Sequence, residues 1–310
     1  MLNRRRFIRY ASMAAGSLWI PAVKMDALDR TQRLVILHTN DTHSRLDPFP
    51  MDGSKYQGMG GVAARAQLIK DIRQQEEHVL LLDAGDIFQG TPYFNLYKGE
   101  PEMKAMAWMQ YDACTMGNHD FDGGMDVFAR QLKHVQFPVL VCNYDFTQTP
   151  LEGKVMPFHI IRKGRLRIGI TGVGIQLSGL VPENLYGNTK YSDPVPALNR
   201  TAEKLKNELG CDLVICLSHL GYDYPKEPDR ISDLKLAGAS QNVDIIIGGH
   251  THTFLKEPVL VPNEKGRHVI VNQVGWAGLI LGRIDLECVS GKAALIASSG
   301  PVLVGKKTSE

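Results

Sequence analysis

The segment Leu34-Val35-Ile36-Leu37-His38-Thr39-Asn40-Asp41-Thr42-His43 decides the fold class. Its first half is an unbroken apolar run, which suits a strand covered on both faces rather than one with a wet side. Polar residues with ligating side chains follow at once. The apolar style recurs in Val79-Leu80-Leu81-Leu82, Pro138-Val139-Leu140-Val141 and Arg167-Ile168-Gly169-Ile170. It recurs again in Leu213-Val214-Ile215-Cys216-Leu217 and Asp244-Ile245-Ile246-Ile247. Between these runs, residues 61–75 carry Val62, Ala66, Ile69 and Ile72 at near-helical spacing, and residues 197–209 and 231–239 read similarly. Alternating strands and helices predict an α/β core.

After Phe254 the pattern changes. Residues 258–262, 268–271, 279–281 and 293–297 are strand-like and separated by short polar turns without helices. The expectation is an antiparallel finishing sheet in the same domain. No long Pro/Ser-rich linker, repeat or low-complexity tract divides the chain, so residues 31–310 read as one domain.

At 310 residues the chain can bury a substantial core. The formal net charge of +2 is local, because Arg4, Arg5, Arg6 and Arg9 crowd the first residues. The remaining body is slightly acidic and carries no basic footprint for a nucleic-acid duplex. Asn3-Arg4-Arg5-Arg6-Phe7-Ile8-Arg9 resembles a twin-arginine export signal, and a small-residue-rich apolar run, residues 11–23, follows it. That run falls short of the ~20 residues a membrane helix needs. Residues 1–27 therefore read as a signal peptide of a periplasmic or otherwise exported protein, with Ala22 and Ala27 as alternative cleavage points. Cys114, Cys142, Cys211, Cys216 and Cys288 lack CxxC spacing and read as small buried hydrophobes, with one disulfide still open in an oxidising compartment.

Five polar clusters stand just past strand ends, where open α/β sheets place their ligands. They are Asn40-Asp41-Thr42-His43, Asp83-Ala84-Gly85-Asp86, Gly117-Asn118-His119-Asp120-Phe121-Asp122, Ser218-His219 and Gly248-Gly249-His250-Thr251-His252. Alone, a strand-end histidine is more often a hydrogen-bonded structural residue, and Asp-Ala-Gly-Asp is a turn. Together they converge carboxylate, imidazole and amide groups on one sheet edge. A nitrogen/oxygen set without cysteine suits zinc, manganese, iron or cobalt. So many ligands exceed one tetrahedral site and fit two divalent ions about 3.5–4 Å apart, sharing a carboxylate. Such a pair would clamp a phosphate and lower the pKa of a shared water.

In this order, Asp41-x-His43, Gly85-Asp86, Gly117-Asn118-His119-Asp120, His219 and Gly248-Gly249-His250-Thr251-His252 resemble the calcineurin-like metallophosphoesterase signature. The wider strings LHTNDTHSRLDP, DAGDIFQGTPYFNLYKG, MGNHDFD and LSHLG resemble the catalytic half of the 5′-nucleotidase branch. The resemblance implies a layered α-β-β-α sandwich with a single catalytic domain. It implies that Asp41, His43 and His252 hold one metal, that Asn118, His219 and His250 hold the other, and that Asp86 bridges. It implies a dyad of His119 and Asp122, in which His119 stabilises the transition state or protonates the leaving oxygen and Asp122 orients its ring. Asn118 and His119 would also touch the substrate. His38, His78, His134, His159 and His268 are expected to be structural, and Phe88, Tyr93, Phe94 and Tyr97 to be packing residues.

Full-length members of that branch carry a second domain that recognises the base, and the expectation for this sequence is the catalytic domain without it. The expected activity is hydrolysis of a phosphate ester, foremost a 5′-nucleotide, by a metal-bridging hydroxide. Three alternatives accompany it: a 2′,3′-cyclic-nucleotide phosphodiesterase, a catalytic subunit whose substrate domain is a separate chain, and a non-catalytic periplasmic metal-binding protein.

Overall fold

Alternate residues of the Leu34–Leu37 run enter two different hydrophobic layers. Leu34 and Ile36 join Leu80, Leu82, Ile168, Ile215 and Ile247 in one cluster, while Val35 and Leu37 join Leu81, Ile69 and Met103 in another. Both faces of the strand are covered, which is why the run contains no polar break. A fully buried leucine or isoleucine contributes about 1.5–3 kcal/mol. A computed structural model describes residues 31–289 and 295–305. The export signal read over residues 1–27 lies outside the described residues, as does part of the strand expected at 293–297.

In chain order the strands are β1 (Thr31–Thr39), β2 (Val79–Asp83), β3 (Ala113–Cys114), β4 (Val139–Leu140) and β5 (Tyr144–Asp145). They continue as β6 (Val155–Met156), β7 (Phe158–Lys163), β8 (Leu166–Gly174), β9 (Lys190–Tyr191) and β10 (Leu213–His219). The last are β11 (Ile245–Gly248), β12 (Val259–Pro262), β13 (His268–Asn272), β14 (Ile280–Val289) and β15 (Leu295–Leu303). A seven-stranded sheet runs β15-β14-β1-β2-β3-β4-β6 and a six-stranded sheet runs β12-β13-β11-β10-β8-β7; β5 and β9 form a small ribbon. The two large sheets share the cluster containing Leu34, and so pack face to face. Helices α1 (Val62–Gln75) and α2 (Glu100–Trp108) cover the outer face of the first sheet. Helices α3 (Pro194–Glu203) and α4 (Asp233–Ala239) cover the outer face of the second. The result is the expected layered α-β-β-α sandwich. Asp193 and Ser232 start α3 and α4 by accepting from Val195 N and Lys235 N.

The finishing sheet is corrected. Among the described residues no separate sheet forms after Phe254: β12 and β13 pair antiparallel and join the second sheet, where β13 runs parallel to β11. β14 and β15 pair antiparallel on the edge of the first sheet, beside β1. Long-range burial decides this, since Val269 and Val271 pack against Leu236 and Ile246 while Ile284 and Leu286 fill the layer between the sheets. The link from β13 to β14 therefore crosses from one sheet to the other.

The cysteines are all free, and only Cys142 is less than fully buried. His38 is structural: its Nε2 accepts from Asn272 Nδ2 at 2.8 Å, and it lies so close to Gly282 that a Cβ there would come within 2.2 Å of the ring. Burial pushes His38 down to about 3. The unfolded chain protonates this ring near pH 6.5, so between there and the folded value the unfolded state holds the extra proton. Stability from this group is complete above that pH and is lost as pH falls, by about 1.4 kcal/mol per pH unit. His38→Gln is expected to flatten the acid limb of a urea-unfolding series between pH 6.5 and 4. An unchanged slope would refute the assignment.

Candidate active site

The ends of β1, β2, β3, β10 and β11 lie on one edge of the sandwich, because the strands pair in parallel register. Thr39 pairs with Asp83, Asp83 with Cys114, and Ser218 with Gly248. Each strand delivers its polar cluster to this edge. Ligand atoms of Asp41, His43 and His252 lie within 4.8 Å of one another, as do those of Asp86, His219 and His250. Asn118 completes the second group, with Oδ1 2.8 Å from His250 Nδ1. Asp86 reaches both groups: its Oδ2 is 3.1 Å from His219 Nε2 and 3.8 Å from His43 Nε2.

The donors fit a pair of metal ions. His219 Nδ1 donates to the Ala84 carbonyl at 2.7 Å, which turns the buried Nε2 toward Asp86 Oδ2 and makes it the nitrogen available to an ion. His43 Nε2 and His252 Nε2 face each other at 3.0 Å, and Asp41 Oδ1 is 3.3 Å from the latter. Burial would raise Asp86 and lower His219, but their pairing reverses both shifts. Burial, reinforced by the positive His219, pushes His250 down to about 4. Asp86 is held ionised among imidazoles, and a bound cation would take the place of the proton that His219 carries beside it.

Five of the seven expected ligands sit in the left-handed backbone region: Asp41, His43, Asp86, His250 and His252, with φ between 47° and 71°. Such residues cost about 1–3 kcal/mol each, and the surrounding structure must enforce them. Here Asp41 N and His43 N donate to the carbonyls of Gly85 and Asp86, and His250 N donates to the Asp41 carboxylate at 3.0 Å. Close approach explains Gly117, where a Cβ would lie 2.1 Å from Asp86 Oδ1.

The dyad residues also meet. His119 Nδ1 lies 2.8 Å from Asp122 Oδ2, and the ring stands 5.2 Å from that of His43 at 74°. The bond to Asp122 raises the His119 pKa, against a burial that is only partial. His119 remains 39% exposed, so the ring is open to an incoming ester. Asp120 does something else. Its Oδ1 accepts from Ile87 N and Phe88 N at 2.9 and 3.1 Å, and its Oδ2 from Asp86 N and Gly117 N at 3.0 and 2.8 Å. One buried carboxylate thus binds the Asp86 loop to the Asn118–His119 loop.

Sequence reasoning gave no role to Asp120, nor to Gln273 and Trp276 in the crossing link. Gln273 accepts from Thr251 Oγ1 and Thr253 N and donates to the Gly249 carbonyl, fixing the loop that carries His250 and His252. Trp276 stacks on His252 at 5.7 Å and 8°. Asp120 stood in a quoted motif, whereas nothing local marks the other two. Phe88 and Phe94 are core residues as expected, but Tyr97 is 56% exposed.

The family model for calcineurin-like phosphoesterases matches residues 34–254. The chain belongs to that family. As a calcineurin-like phosphoesterase it is a metal-dependent hydrolase of phosphoesters. It is 36% identical over 298 residues to a snake venom 5′-nucleotidase of Crotalus adamanteus, covering 89% of this chain and 49% of the relative. The structure resembles that of a 5′-nucleotidase precursor from Thermus thermophilus, with TM-score 0.79 and 31% identity over 88% of this chain and 55% of that one. It also resembles a calcineurin-like phosphoesterase from Bacillus subtilis, with TM-score 0.70 and 27% identity over 89% of this chain and 91% of that one. This phosphoesterase spans about half the length of the curated 5′-nucleotidases it matches. Among the described residues, none of its helices is long and apolar enough to cross a membrane.

Proposed function

We propose that this phosphoesterase is a two-metal phosphomonoesterase acting on 5′-nucleotide-like esters. The carrying observation is the position of Asp86 Oδ2 between the two imidazole-bearing groups, with the His119–Asp122 pair alongside. Asp41, His43 and His252 would hold one ion, Asn118, His219 and His250 the other, and Asp86 would contact both. When bound, the ions would polarise the phosphoryl oxygens and activate water for attack. His119 would meet the ester from its exposed side, stabilise the charge that develops and give a proton to the leaving oxygen. Asp122 would hold the His119 ring by accepting from Nδ1, leaving Nε2 to face the substrate. Asp120 would keep Asp86 and Asn118 in register. The 5′-nucleotidase relatives support the nucleotide as substrate.

The test is a panel of nucleoside monophosphates, cyclic nucleotides and sugar phosphates, assayed with manganese, zinc or cobalt. Preferential hydrolysis of the monophosphates is expected, whereas turnover of cyclic nucleotides alone would replace the monoesterase with a diesterase. The paired arginines near the N-terminus support export by the twin-arginine route. Lysine at Arg4 and Arg5 together is expected to abolish export, and unchanged export would remove that reading.

A further inference from the structure

We propose that a cavity of about 680 Å³ lined by Ile175, Leu180, Tyr191, Asp193, Arg230 and Ile231 receives the leaving group of the ester and is shaped for an uncharged nucleoside. The proposal rests on the hydrolytic reading of the neighbouring metal-binding edge. Three segments build the cavity, and two of them continue directly from that edge. Ile175 follows Gly174, the last residue of β8, which pairs in register with His219 at the end of β10. The loop after His219 leads to Arg230 and Ile231.

The segments that contribute the lining are tied to the site at neighbouring residues. On one side Tyr222 N donates to Thr251 Oγ1 at 2.9 Å, between His250 and His252. On the other, Leu185 and Tyr186 pack against the cluster holding Phe121 and Met125, and Thr189 Oγ1 donates to Met125 Sδ at 3.2 Å. The segment 175–195, which supplies much of the lining, therefore rests on residues just past Asp122. Tyr191, in the lining, stands 6.3 Å from Tyr144 between ring centroids, and Tyr144 stands 6.2 Å from Phe121, which lies between His119 and Asp122, so we place the leaving group on this side. A smaller cavity of about 290 Å³, walled by Tyr93 and Tyr97, adjoins the chain on the His43 side instead.

Size and charge select the ligand. The larger volume falls within the roughly 300–1,000 Å³ typical of small-molecule sites. Tyr191 offers a flat face to a heterocycle, Ile175 and Ile231 add apolar surface, and Leu180 is 46% exposed. The Arg230 guanidinium lies 3.9 Å above the Tyr224 ring and 3.3 Å from both Glu227 oxygens, so its charge is already countered. Asp193, Glu227 and Asp229 leave the lining net negative. Carboxylates accept from ribose hydroxyls and amino groups but repel further phosphates. The cavity thus selects nucleoside monophosphates over di- and triphosphates.

The test compares the holoenzyme with Leu180→Trp, which fills the cavity, and Tyr191→Ala, which removes its flat wall, with thermal unfolding as the fold control. Specificity is read as kcat/KM for a nucleoside 5′-monophosphate divided by that for glycerol phosphate. Either variant is expected to lower this ratio by about tenfold or more, and to weaken competitive inhibition by free adenosine in parallel. Ratios within twofold of the parent, or a loss produced by Tyr97→Ala instead, would overturn the proposal. Hydrolysis of glycerol phosphate without any of nucleotides would overturn it alone, whereas no hydrolysis of either ester would overturn the metal-site reading as well.

Discussion

His119→Ala is expected to lower kcat by about 10²- to 10⁴-fold, the usual worth of a positioned acid–base group, while both metal ions stay bound. The side chain contributes no atom to either ligand group, so its removal leaves the donor set intact. The size of the defect should depend on the ester. A p-nitrophenolate departs without a proton, whereas a ribose or glycerol alkoxide needs one. If His119 supplies that proton, the alanine variant loses more on the alkyl ester than on the nitrophenyl ester. Equal losses would leave His119 stabilising the phosphoryl group alone, and a kcat within a few-fold of the parent would remove it from the chemistry. The experiment pairs steady-state kinetics on both esters with metal analysis of the same preparation.

Asp120→Asn is expected to be comparably damaging through a different cause. Each Asp120 oxygen accepts two backbone N–H groups, so an amide nitrogen in place of either oxygen turns two acceptances into donor–donor clashes. Two buried amides lose their partners, at about 1–3 kcal/mol each. Those amides belong to the loops that carry Asp86 and Asn118, so the penalty falls on the placement of two proposed ligands. Outer partners of metal ligands typically change affinity by about 10- to 100-fold, and misplacement by an ångström costs about 100-fold in rate. Metal titration should therefore show weakened binding together with a fall in kcat, and thermal unfolding a lower midpoint. Parental metal affinity and rate in a folded variant would contradict the role.

Much of the candidate site is legible in the sequence because parallel strands put chemistry at their ends. Asp41, His43, Asp86, Asn118, His219, His250 and His252 each follow or close an apolar run, so order along the chain translates into position on one edge. What local pattern cannot carry is pairing over distance. Gln273 and Trp276 look like ordinary link residues until β13 and β14 join different sheets and carry the link over His252. The same fact corrects the finishing sheet: short turns between strand-like segments suggest neighbours, but burial against Ile246 on one side and Leu34 on the other separates them. His38 shows the converse, a strand histidine beside the ligand cluster that a tight glycine contact and an asparagine hold as part of the core.

The most direct test of the two-metal site is a titration of metal-free protein with manganese or zinc, following bound metal and phosphate-ester hydrolysis together. Two equivalents per chain are expected, with activity rising as the second binds, and Asp86→Asn should weaken both. A single equivalent at full activity, or hydrolysis that persists without metal, would contradict the two-ion site built around Asp86.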